Sequence, residues 1–97
     1  MSKKELNGHK VGDAISDSTR VEILQHLLKV YPNSLTMSEI EKALSKHVSP
    51  TTISFHLRKL REAELIITNG HKKGFRALQP TINITVNNKG VHVKDVK

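Results

Sequence analysis

The hydrophobic period of this chain changes once, at Glu64–Leu65, and that change constrains its architecture more than any other feature. Before it, apolar residues recur at helical spacing. After it, they form short β-branched or alternating runs separated by turn signals. The expected order is therefore four helices followed by two hairpins, an α+β chain.

The helices are legible from their caps and stripes. Val11, Ala14 and Ile15 have the spacing of a short helix around 11–16, preceded by a flexible basic tail over residues 1–10. Asp17-Ser18 supplies an N-cap for a second helix. Its stripe is Val21, Leu24, Leu28 and Tyr31, broadened by Ile23 and Leu27, and Pro32-Asn33-Ser34 ends it. Thr36-Met37-Ser38-Glu39 is a capping box, opening a short helix with Met37, Ile40 and Leu44 on one face. Ser45 to Val48 is a turn. Ser49-Pro50 starts the last helix, because serine caps well and proline is tolerated at the first helical position. Ile53, Leu57 and Leu60 form its inward face, and its end is expected at Glu64.

The strands follow. Leu65-Ile66-Ile67-Thr68 is a first strand, Asn69-Gly70 a turn, His71-Lys72-Lys73-Gly74 a loop, and Phe75 to Leu78 the return strand before Pro80. Ile82, Ile84 and Val86 alternate, Asn87 to Gly90 turns, and Val91 and Val93 alternate back. Helices followed by a hairpin with a basic tip make the plan of a winged helix-turn-helix, here over residues 11–79 with an extra C-terminal β-hairpin over 80–97.

Charge points the same way. The chain carries a net charge of +7, and residues 50–97 hold nine bases against three acids. Such asymmetry favours a polyanionic partner for the second half. In a winged helix-turn-helix the last helix enters a DNA major groove, about 12 Å wide, and the hairpin tip lies on phosphates or in the minor groove. Residues 50–63 suit that role. Thr51, Thr52, Phe55, Arg58 and Lys59 lie on the outward half, and short Thr51, Thr52 and Ser54 near the helix start allow close approach. Phe55 sits almost opposite the apolar stripe, placed for a thymine methyl or for a neighbouring helix or chain. Arg58, Lys59 and Arg61 share a region with Lys72, Lys73 and Arg76, which favours phosphate contacts over a merely solvated face.

Two segments resemble the ArsR-like transcriptional regulators. Asp17-Ser18-Thr19-Arg20-Val21-Glu22-Ile23-Leu24 is similar to that family's "D-x-T-R-x-x-I-L" opening. Ser49 to Ile66, containing Ile53-Ser54-Phe55-His56-Leu57 and Leu60-Arg61-Glu62-Ala63-Glu64-Leu65-Ile66, resembles its recognition helix, commonly "S-x-x-x-V-S-x-H-L-x-x-L-R-x-A-G-L-V". The resemblance covers about residues 11–79. It implies a homodimeric repressor or activator, with a repressor the expectation, that binds pseudo-palindromic double-stranded DNA. It also implies contacts from Pro50, Thr51, Ser54, Phe55 and Arg58 and from the wing around His71, Lys72 and Lys73, with His56 as a supporting residue. There are departures. Cysteine is absent, which removes the thiolate metal sensor. A hairpin stands where a C-terminal dimerisation helix is usual, so the hairpin's apolar face is expected to pack on the first helix or to meet its copy in a second chain. The family's glycine is Glu64, so a glycine cap is unavailable, and the turn at Ser45 to Val48 is longer than usual.

Other classes find less support. The six histidines lack metal-site spacing, so no metal site and no cofactor are expected. There is no phosphate loop and no nucleophile elbow, which argues against an enzyme. No membrane-length apolar run or signal-peptide segment is visible, which fits a cytoplasmic protein. The main alternative is a winged helix used for protein contact in a transcription or chromatin assembly; RNA binding is disfavoured by the scarcity of aromatics.

Overall fold

The computed structural model describes residues 5–6, 8–68, 74–87 and 90–95, with side chains over 9–68 and 74–81. The elements are β1 (Glu5–Leu6), α1 (Gly8–Ala14), α2 (Ser18–Lys29), α3 (Met37–Ala43), α4 (Pro50–Glu62), β2 (Ile66–Thr68), β3 (Phe75–Ala77), β4 (Ile82–Asn87) and β5 (Gly90–Asp95). Helices precede a two-stranded β2–β3 wing, as the change of period requires.

Each helix starts where a side chain can satisfy its first amides. The Asp17 carboxylate accepts from the Arg20 amide at 3.1 Å. Thr36 and Glu39 form the reciprocal capping box: the Glu39 amide donates to Thr36 Oγ1 at 3.2 Å, and the Thr36 amide donates to Glu39 Oε1 at 2.8 Å. Ser49 Oγ accepts from the Thr52 amide at 3.3 Å, with Pro50 in the first turn.

The core draws one or more residues from every helix. Val11, Ile23, Leu27, Ile40, Ile53, Leu60 and Ile66 are the largest fully buried side chains. Removing a side chain of this kind from water contributes about 1.5–3 kcal/mol. On α2 the buried face is rotated from the expected stripe. Ile23, Leu24 and Leu27 are buried with Thr19 and Arg20, whereas Val21, Leu28 and Tyr31 are only half-buried. The polar members of that face are explained below by what they bond to.

Three boundaries differ from expectation. The first helix spans Gly8–Ala14, not 11–16, and β1 precedes it, so residues 5–10 are not all tail. Glycine at its start gave no apolar signal. Helix α4 ends at Glu62, and Glu64 itself takes the left-handed conformation at φ 62° that glycine was expected to be needed for. The Leu65 amide donates to the Leu60 carbonyl at 3.1 Å, and the Glu64 amide to the Arg61 carbonyl at 2.9 Å. These are the two bonds of a Schellman cap, and buried Leu60 and Leu65 supply its apolar contact. The third difference concerns the C-terminal hairpin. It is joined by β1 into a sheet of order β1-β5-β4, and β5 lies against α1.

The wing is anchored at its base. Leu35, between α2 and α3, exchanges two backbone hydrogen bonds with Phe75, at 2.9 and 2.8 Å. That close approach requires Gly74, whose φ is +95°; a Cβ there would collide with the Leu35 carbonyl. The turn between α3 and α4 is held from α2. Glu22 accepts from the Ser45 amide at 2.7 Å and from its hydroxyl at 3.0 Å, and this bonding to the ionised form holds the Glu22 carboxyl below its usual range.

Candidate nucleic-acid interface

Helix α4 has an inward face of Ile53, His56, Leu57 and Leu60 and an outward face with no apolar cover. Pro50, Thr51, Thr52, Ser54, Phe55, Arg58 and Arg61 are exposed, and Lys59 is half-buried. Ile53, Leu57 and Leu60 at 3–4 residue spacing force this division, because burying them turns the intervening positions out. The first turn is uncapped by any acidic side chain, so the positive end of the helix faces outward among small polar groups.

Phe55 is 42% exposed, an unusual state for an aromatic residue in so aromatic-poor a chain. Cations surround its ring. The Arg58, Lys59 and Arg20 charges lie 5.4, 5.6 and 5.9 Å from its centroid, and the His56 ring meets it edge-on at 5.8 Å. Each such contact is worth about 0.5–1 kcal/mol at an exposed site.

A groove of about 570 Å³ runs between α4 and the wing. Thr51, Ser54, Phe55, Leu57, Arg58 and Arg61 form one wall; Met37 from α3 and Thr68 and Phe75 from the hairpin form the other. Arg61 was expected to join Arg58 and Lys59 in phosphate contacts, and its place three residues after Arg58 puts both on one helix face. Met37 and Phe75 were read as ordinary core or strand residues, and nothing in their local sequence marks them as groove walls.

The expected contact residues do not all gather here. Thr51, Ser54, Phe55 and Arg58 line the groove. Pro50 and Thr52 are exposed at the helix start but outside it. Lys59 turns toward α1, with its ammonium 4.0 Å from Asp13. Arg76 is half-buried on β3, with one guanidinium nitrogen donating to the Ala77 carbonyl at 3.4 Å. His71, Lys72 and Lys73 lie outside the described residues. Among the described residues, no group of three or more His, Cys, Asp or Glu side chains is placed to hold a metal ion.

Behind Phe55 lies a polar cluster that joins three helices. Arg20 is only 7% exposed. Its Nε donates to His56 Nδ1 at 3.2 Å, and its Nη1 donates to the Asp13 carbonyl at 3.1 Å. His56 Nε2 faces the Asp17 carboxylate at 3.9 Å. Burial lowers the His56 pKa, Asp17 opposes that, and Arg20 adds to it, so the net shift is downward. The hydrogen bond from the Arg20 amide lowers the Asp17 pKa. The sequence reading of His56 as a support for the helix fits this position, but its partner was missed, because an arginine in the first turn of an amphipathic helix reads as surface.

A family model described as bacterial regulatory protein, arsR family, matches residues 17–68, from the N-cap of α2 to the last residue of β2. No curated protein and no solved structure matches the chain.

Proposed function

The chain belongs to the arsR family of bacterial regulatory proteins and is a DNA-binding transcription regulator; from that premise we propose that it is a repressor reading double-stranded DNA with α4 in the major groove. The observation that carries this is the uncovered outer face of α4, where Thr51, Ser54, Phe55, Arg58 and Arg61 border one groove beside the wing. Small hydroxyls allow approach to base edges, Phe55 offers an apolar surface to a thymine methyl, and the arginines pair with phosphate or guanine. Pro50 and Thr52 present the helix start to a phosphate. Lys59 and Arg76 add positive charge, and His71, Lys72 and Lys73, between β2 and β3 in the sequence, complete the proposed contact set.

The domain assignment belongs to the same proposal. Residues 11–79 read DNA, and the chain works as a homodimer in the cytoplasm through the sheet that contains the C-terminal hairpin. No described helix is long and apolar enough to cross a membrane.

A mobility-shift titration across salt concentrations tests the reading. Duplex affinity should fall steeply with salt, and Lys72→Ala with Lys73→Ala should flatten that slope by up to about two units for every duplex. Phe55→Ala or Thr51→Ala should instead change the preference among duplexes. Undetectable duplex binding at low salt refutes the proposal and favours a protein-contact module.

A further inference from the structure

We propose that Arg20, though buried and away from the outer face of α4, is a positioning residue for DNA reading: its guanidinium fixes α4 and the Phe55 ring through a hydrogen bond that only an unprotonated His56 Nδ1 can accept. This rests on the DNA-reading role given to α4 above.

Three contacts meet at one planar group. Nε bonds α4 through His56, Nη1 bonds the end of α1 through the Asp13 carbonyl, and the guanidinium carbon stands 5.9 Å from the Phe55 centroid. A rigid fork with donors in fixed directions can satisfy two acceptors on different helices at once; a lysine has one point charge and no fork. Arg20 belongs to the first turn of α2, where its backbone amide donates to the Asp17 cap. The guanidinium therefore references α4 to α1 and α2, and Phe55, next in sequence to His56, takes its place from the same group.

The bond sets the proton's position. Because Nδ1 accepts, the neutral ring carries its proton on Nε2, on the side of Asp17. A proton on Nδ1 would set N–H against N–H and cation against cation. The charged groups around the imidazole are Arg20 and Asp17 from α2, with Asp13 of α1 and Lys59 of α4 forming an ion pair beside Phe55. Asp17 favours the protonated ring; burial and Arg20 oppose it. Acidification should thus release Arg20 from α4 while Asp17 stays ionised.

The test has two arms on the full-length chain. In the free protein, NMR follows the Phe55 ring and His56 resonances as pH falls from about 7.5 to about 4.5, through the ordinary histidine range and below it, where burial places His56. Phe55 should shift as His56 takes up its proton in the wild type. It should stay still in His56→Asn, whose side-chain oxygen can accept from Arg20 at any of these pH values. Arg20→Met and Arg20→Lys should displace the Phe55 resonances already at the higher pH. In the second arm, affinity for a duplex selected from a random pool is compared with affinity for the unselected pool at constant ionic strength. Either Arg20 variant should reduce that preference about tenfold, the scale of one lost base contact. Acid should reduce it in the wild type and not in His56→Asn. Phe55 resonances indifferent to both Arg20 variants overturn the proposal, whatever the DNA arm gives. So does a wild-type pH profile in His56→Asn. If the wild type prefers no duplex, the DNA-reading function fails, while the first arm still decides whether Arg20 positions Phe55.

Discussion

Glu64→Gly should stabilise this protein, and the size of the gain follows from one dihedral angle. Glu64 holds φ at 62°, in the left-handed region, to let the chain leave α4 and enter β2. A side chain with a Cβ takes that conformation at a cost of about 1–2 kcal/mol, which glycine avoids. Glycine also frees the unfolded chain, which returns about 0.4–1 kcal/mol to the unfolded state. A net gain of about 0.5–1 kcal/mol remains. For a domain of this size 1 kcal/mol moves Tm by about 4–8 °C, so a rise of about 2–8 °C is expected.

Glu64 also carries a charge near the negative end of a helix, and losing it could raise stability by itself. Glu64→Ala separates the effects, because it removes the carboxylate and keeps the Cβ. Thermal and urea denaturation of the three proteins, with an unchanged urea slope, give the comparison. Glu64→Gly should exceed Glu64→Ala. If the two are equal, the gain is electrostatic and the cost assigned to the left-handed cap is wrong; if glycine is the weaker, unfolded-chain entropy dominates and the reasoning fails outright.

Three further outcomes are expected. Gly74→Ala should cost at least about 2 kcal/mol, since it adds left-handed strain to a collision with the Leu35 carbonyl, and a urea midpoint near wild type would contradict this. Stability should be fully present above the ordinary imidazole pKa near 6.5 and decline below it, because His56 binds its proton less readily folded than unfolded. A second decline should begin below the ordinary carboxylate values of 3.8 and 4.5, where Asp17 and Glu22 lose stabilising charge as pH falls through their lowered folded pKa values. In a pH series of melts, His56→Asn should remove the first stage and Glu22→Gln should reduce the second. Deleting residues 81–97 should leave a monomer if the second sheet is the dimer contact; a truncated chain that still sediments as a dimer places the contact elsewhere.

What the sequence made legible was whatever depends on near neighbours. The Thr36–Glu39 box, the Ser49-Pro50 start and the Ile53-Leu57-Leu60 stripe are local patterns, and each appears in the structure as expected. Phe55 was recognisable as exposed because its helical phase opposes that stripe. What stayed hidden needs partners far along the chain. Arg20 is buried because His56 lies 36 residues away to accept from it. Leu35 and Phe75 bind the wing across the helices between them. The pairing of β1 with β5 joins the two ends of the chain, and no local pattern at Glu5–Leu6 announces it. Glu64 shows the opposite failure. The missing glycine was visible, but the strength of the surrounding cap, which holds a glutamate in glycine's conformation, was not.

The ring of cations about Phe55 links these contacts to function. A fold gains little by gathering Arg20, Arg58 and Lys59 within 5.9 Å of one partly exposed ring, since like charges repel and each ring contact is weak. Arg20 is fixed by neutral acceptors, and Lys59 has Asp13 at 4.0 Å. Arg58 forms no ion pair with a described residue and borders the groove with Arg61. Positive charge on the outer side therefore faces where a phosphate can balance it, while beneath the ring Arg20 has hydrogen-bond acceptors and Lys59 has the Asp13 carboxylate. That division assigns two tasks to two helices, α2 and α4. On the proposed reading, Arg20 sets where the surface stands, and Arg58 and Arg61 set what it attracts. Exchanging the outer pair should alter affinity at little cost to the fold, whereas changing Arg20 should move the surface itself.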